Sequence, residues 1–293
     1  MKPFKMRFSM FSISVLLLSN TVTGLVSAQD ILTSTPVTYA IATELMKETS
    51  ITTEYLPPKR YGIERLPNWF ATKGTNAVAK AGEQATVAIT MRSVWHDDPT
   101  YLFARQGNIG LIEIDASQAI TPRAQGVAAL TLDSGSLSKY VWLNPTNLIR
   151  MSAIVADDLK RVWPQHQRVI DTNLQAMTLN VRALISAQQD AIFDIDSVIL
   201  LSEALEDFAS GNQLYVVDRQ YAAELEWSDE QKQSLKDQFI KDETLWLMTA
   251  RKPSQTLLAL VPENRILVVD SIDRWGSKGI QTDNPLLRWG LKL

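Results

Sequence analysis

The sequence predicts an α/β protein built as two parallel-sheet lobes joined by one long helix. Three observations carry that prediction. Short apolar runs alternate with helical stretches from Asp30 to about residue 145, the alternation resumes after Asp196, and between them lies a helical region with a single apolar stripe. Strand, helix, strand repeated along a chain is the pattern of a parallel sheet covered by helices.

Taken in order, Ile31 to Thr35 (ILTST) predicts a strand, and Pro36 opens a helix with Tyr39, Ala40, Ala42, Leu45 and Met46 on one side. Proline is welcome there because the first helical turn has no partner for its amide. Ile51 to Leu56 (ITTEYL), Ala85 to Met91 (ATVAITM) and Gly110 to Asp115 (GLIEID) predict three further strands. The middle differs. Residues 146–161 and 165–191 are helical, separated by Pro164, and Ile170, Leu174, Met177, Val181 and Leu184 fall at steps of four and three. That spacing places them along one face of a long helix. Strands come next at Ser197 to Leu201, Gln213 to Val217, Thr244 to Thr249 and Ile266 to Asp270, with a helix over 228–241 opened by Ser-Asp-Glu. The expected division is a signal segment over 1–28, an N-terminal lobe over 29–145, linking helices over 146–191 and a C-terminal lobe over 192–293. Open α/β lobes bind ligands at the carboxyl ends of their strands, so the cleft between the lobes is the expected site.

Composition narrows the function. The chain has 293 residues with 29 Lys+Arg against 32 Asp+Glu, so no basic surface for wrapping nucleic acid is expected. It has no cysteine, which removes disulfides, thiolate metal sites and a cysteine nucleophile. Lys2, Lys5 and Arg7 precede a short apolar run from Phe11 to Leu18, and Val26-Ser27-Ala28 puts small residues where a signal peptidase cleaves. A cleaved secretory signal is expected, with no cysteine available for a lipid anchor after the run. The expected destination is a periplasm, and the expected state a monomer.

The segment Tyr140-Val141-Trp142-Leu143-Asn144-Pro145 resembles the H-V-W-L-[DN]-P motif of the zinc, manganese and iron solute-binding receptors of ABC importers. The stretch after it is also similar to that family: a helix over 146–161, Pro164, Asn173 and the long striped helix. Residues 57–64 (P-P-K-R-Y-G-I-E) stand where the family has G-x-D-P-H-x-x-E, and a late T-x-x-x-P segment leads to Val268-Val269-Asp270. The resemblance implies a binding protein without chemistry of its own, which passes a metal ion or a metal chelate to an ABC permease. It also implies ligand positions: Tyr61, Tyr140 and Ser202 where the family has histidines, and Asp270 where it has an acid.

Every ligand histidine is therefore replaced. Zinc is held well by imidazole and carboxylate, whereas a phenol must first lose a proton with an ordinary pKa near 10. Two phenolates from Tyr61 and Tyr140 with the Asp270 carboxylate suit a hard ion such as Fe³⁺ better than zinc. A second set of residues points elsewhere. Lys59, Arg60 and Arg65 flank Tyr61, Arg92 follows the third strand, and Arg251 and Lys252 follow TLWLMT, all at carboxyl ends of strands. With Trp95 and Trp142 nearby, such a cleft suits an anionic small molecule or a chelated metal. His96 and His166 fall outside these positions and are expected in a loop and on an exposed helix face. Trp163, Trp227, Trp246 and Trp275 are expected to pack. Two other functions compete: a degenerate receptor acting through a protein partner, and an α/β hydrolase, which would need His96 or His166 and lacks a G-x-S-x-G turn.

Overall fold

The computed structural model describes residues 30–120 and 125–291, so the expected signal segment lies outside the described residues. The elements are β1 (Ile31–Thr33), α1 (Pro36–Leu45), β2 (Thr53–Tyr55), α2 (Leu66–Ala71), α3 (Thr75–Gln84), β3 (Val87–Thr90), α4 (Thr100–Ala104), β4 (Ile112–Asp115), α5 (Pro145–Val162), α6 (Gln167–Ala191), β5 (Ser197–Leu200), α7 (Glu206–Gly211), β6 (Tyr215–Arg219), α8 (Asp229–Lys241), β7 (Leu245–Thr249), α9 (Gln255–Leu258) and β8 (Ile266–Val268). They form two four-stranded sheets, ordered β2-β1-β3-β4 and β6-β5-β7-β8. Every strand pair is parallel. The two-lobe α/β architecture with a long connecting helix is the one the sequence predicts.

Local chemistry explains the helix boundaries. Thr35 caps α1 by accepting from the Thr38 amide, with Pro36 in the first turn. Asn144 does the same for α5 through the Thr146 amide, and Pro145 comes next. Ser228 and Gln231 form a reciprocal capping box at the start of α8. The 25-residue α6 buries Ile170, Met177, Val181 and Leu184 as its periodicity requires, and extends the stripe by one turn with the buried Gln188.

One hydrophobic core runs through both lobes and α6, from Ile31 and Ile41 to Trp142, Met177, Phe208 and Leu267. Polar anchors fix the long helix at both ends. The Asn173 amide donates to the Leu45 and Lys47 carbonyls at 3.0 and 2.8 Å, and the Gln188 amide donates to the Trp289 carbonyl at 2.8 Å. The buried Gln188 amide would carry the full desolvation cost without its acceptor, and the half-buried Asn173 amide adds two bonds at the other end, so the helix is held to each lobe. A C-terminal strap, residues 271–291, returns across the cleft to the first lobe: the Gly276 amide donates to the Lys59 carbonyl at 2.8 Å, and the Ile63 amide to the Asp273 carbonyl at 3.2 Å. Among the described residues no helix is long and apolar enough to cross a membrane.

Candidate functional site

Between the lobes lies a cavity of about 660 Å³ lined by Gly62, Glu64, Arg65, Tyr140, Ser202, Arg251, Asp270, the strap residues Ser271 and 273–278, and Arg288. Its floor is made by the turns after β5, β7 and β8, as expected for the carboxyl ends of parallel strands. Of the residues the sequence nominates, Arg65, Tyr140, Ser202, Arg251 and Asp270 line this one cavity although they are far apart in the chain.

The others sit apart from it. Tyr61 lines an adjoining hollow of about 340 Å³ with Trp69 and Lys73, and shares only Glu64 and Arg65 with the main cavity. Arg60 lies over the Tyr61 ring, 5.2 Å from its centroid, and that guanidinium holds the phenol below its usual pKa. Arg92 reaches Glu113 at 3.5 Å on the neighbouring strand of the first sheet. Trp95 and Trp142, expected in the cleft, are instead core residues. The Trp142 indole is buried because its N–H finds the Ser271 carbonyl at 3.1 Å and its own carbonyl accepts from the Trp289 indole at 2.9 Å. Trp275, expected only to pack, lines the cavity and sets its ring 4.8 Å from both Tyr39 and Tyr55. His96 is exposed on a loop beside Asp97, as expected, whereas His166 is half-buried rather than exposed.

The decisive feature is one the sequence did not signal. Arg288, from the far end of the strap, grips Asp270 with both arms: Nε donates to Oδ2 and Nη2 to Oδ1, each at 2.9 Å. The guanidinium is buried, and its Nη1 donates to the Arg274 and Trp275 carbonyls at 2.8 and 3.2 Å. Burial acts to raise the Asp270 pKa, but the Arg288 hydrogen bonds and charge outweigh it and hold the carboxyl below its usual range. The Ile272 amide also donates to Asp270 Oδ1, closing a tight turn in which Ile272 takes φ of 53°. A β-branched residue at that φ is strained, so the turn that aims Asp270 at Arg288 is held by its surroundings.

The same theme recurs around the wall. Asp273 is paired with Arg274 through two contacts of 3.0 Å, and Glu64 with Lys139 at 3.1 Å. Every carboxylate lining the cavity therefore carries its own cation from the chain. Among the described residues, Arg65, Arg251 and Lys278 line the cavity without such a partner. Gly62 allows the first-lobe loop to approach so closely that a Cβ there would overlap Asp273 Oδ2. Tyr140 is poorly suited to lose a proton: burial, then the charges of Glu64, Asp273 and Glu203, raise its pKa above the ordinary phenol value. No group of three or more His, Cys, Asp or Glu side chains that could hold a metal ion occurs among the described residues.

The fold has known counterparts. The chain superimposes on the crystal structure of ZnuA over 84% of its own length and 92% of that chain, with TM-score 0.61 and 17% identity. It superimposes on the solute-binding protein FpvC from Pseudomonas aeruginosa in complex with Mn²⁺ over 84% and 89%, with TM-score 0.61 and 16% identity. On the metal-dependent lipoprotein YcdH from Bacillus subtilis the figures are 85% and 90%, TM-score 0.65 and 14% identity. No protein-family profile matches the sequence, and no curated protein does either. The chain thus has the two-lobed α/β fold of these proteins. The ions named with such neighbours are Zn(II), Mn²⁺ and Ni²⁺, which gives no support to iron over zinc.

Proposed function

We propose that this chain is the solute-binding component of an ABC importer, exported to the periplasm, where as a monomer it takes up a metal ion or metal chelate between its lobes and delivers it to a membrane permease. Binding of a charged solute suits the site, which offers a cavity with charged rims. The observation that carries the reading is the shared cavity: Tyr140, Ser202, Arg251 and Asp270 come from both lobes and meet at the strand ends. The fold supports it, since its counterparts include a solute-binding protein crystallised with Mn²⁺.

Thermal shift and calorimetry against Zn²⁺, Mn²⁺, Fe³⁺, their chelates and small anions test the reading. A ligand that binds only the folded chain raises its melting temperature in step with concentration over Kd. A flat response across the panel, with no small molecule or metal carried by the protein purified from its own periplasm, removes the receptor function.

A further inference from the structure

We infer that the cleft is a receptor for polycarboxylate anions, with Arg288 occupying the place of a bound cation and Arg251, Arg65 and Lys278 left to receive the ligand. The inference rests on the receptor reading and specifies its substrate class. It starts from charge. Five cationic side chains (Arg65, Arg251, Arg274, Lys278, Arg288) and three acidic ones (Glu64, Asp270, Asp273) line the cavity. Each acid is already paired: Asp270 with Arg288, Asp273 with Arg274 and Glu64 with Lys139. An incoming metal ion would have to displace a buried, bidentate guanidinium that also holds two backbone carbonyls. An incoming anion displaces nothing, because Arg65, Arg251 and Lys278 have no ion pair among the described residues and stand exposed at the cavity wall.

In the first lobe the arginine at the equivalent strand end is paired instead. Arg92 stands two residues beyond the end of β3, as Arg251 stands two beyond the end of β7. In the first lobe the neighbouring strand supplies Glu113, which meets Arg92; at the matching register the second lobe has Ile266, so Arg251 is left without an acid. Ser202 and Ser277 add hydroxyl donors, and Trp275 an apolar wall. Forked guanidinium donors, an ammonium and hydroxyls are the partners of carboxylates. A ligand with two or three of them, free or wrapped around a metal, matches three spaced cations in about 660 Å³.

Calorimetry on the full folded protein, with tricarballylate as a metal-free tricarboxylate, ferric citrate as a chelate, and ZnCl₂ and MnCl₂ as bare cations, decides it. Saturable binding of either carboxylate ligand, with at least tenfold weaker affinity in Arg251→Gln, a smaller loss in Lys278→Gln and no change in Arg92→Gln, is the expected result; which of the two binds tells whether the carboxylates arrive free or on a metal. Affinity should also fall as salt rises, since the contacts are exposed charges. Binding of the bare cations alone overturns the inference and leaves the receptor reading intact. Carboxylate binding unaltered in an Arg251→Gln, Lys278→Gln double variant overturns it as well, as does the absence of binding by any of the four ligands; the receptor reading then stands or falls on what co-purifies with the native protein.

Discussion

The two lobes share a strand order, a handful of equivalent side chains and little else in how they treat charge. Behind the first sheet the strand-end groups are closed on themselves: Arg92 meets Glu113, and Asp115 accepts from the Ser93 amide and hydroxyl and the Ser117 amide and hydroxyl. Behind the second sheet the equivalent turns open into the cavity, and the compensation for Asp270 comes from Arg288, 18 residues further along the chain. The strand ends of the first sheet are thus closed by local partners, whereas those of the second line the cavity. The difference lies in which neighbouring strand carries an acid, and in the strap that extends from the second lobe.

The largest expected effect comes from removing the strap's cation. Arg288→Gln leaves a partly buried Asp270 without its bidentate partner, and loss of one member of such a pair costs on the order of 3 kcal/mol in chemical denaturation. The double variant Arg288→Leu, Asp270→Asn should regain most of that loss, because no uncompensated charge remains. Equal instability of both variants would mean that Arg288 matters through packing alone.

Acid–base behaviour is one property the two lobes share. Asp98 in the first lobe and Asp207 in the second are both buried, and burial lifts each carboxyl to about 6, Asp98 against the Thr100 hydroxyl and amide and the Met91 amide, Asp207 against Ser138 and with help from Glu206. A carboxyl whose folded pKa is raised stabilises the fold fully below its unfolded value near 4, and that stability is lost as pH rises through 6. Unfolding free energy at pH 4 should therefore gain on the order of 2 kcal/mol per group relative to pH 7. Asp98→Asn should remove its share of that slope, and Asp207→Asn its own. A pH profile unchanged in both variants contradicts the assignment.

Contact between the lobes at the cavity is tested by Gly62→Ala. Its Cβ would fall against Asp273, so the Asp273–Arg274 pair must shift, at a cost of about 1–3 kcal/mol by analogy with overpacked sites. The variant should weaken ligand binding as well as stability, whereas Gly135→Ala, in open space, should change stability only through its positive φ and leave binding alone.

The pattern of strands and helices was legible because burial imposes periods of two and 3.6 residues. ITTEYL and ATVAITM located β2 and β3 to within two residues, and the stripe from Ile170 to Leu184 located the buried face of α6. The family resemblance pointed to Tyr140, Ser202 and Asp270, and the strand-end reading to Arg251, and these four line one cavity. It was not legible at Arg288. That residue lies in an irregular segment whose path depends on tertiary hydrogen bonds, such as Gly276 to Lys59, that no local period encodes. Tyr61 and the tryptophans show the same limit: the chain position placed Trp142 at a cleft, but its indole volume and single donor were satisfied in the core, while Trp275 took the cavity wall.

The most direct measurement is a pair of titrations with tricarballylate and ferric citrate, comparing Arg251→Gln with Arg92→Gln at low salt. A tenfold or greater loss confined to Arg251→Gln is the result expected of a cleft whose second lobe presents an unpaired arginine. Equal affinities in the two variants would contradict it.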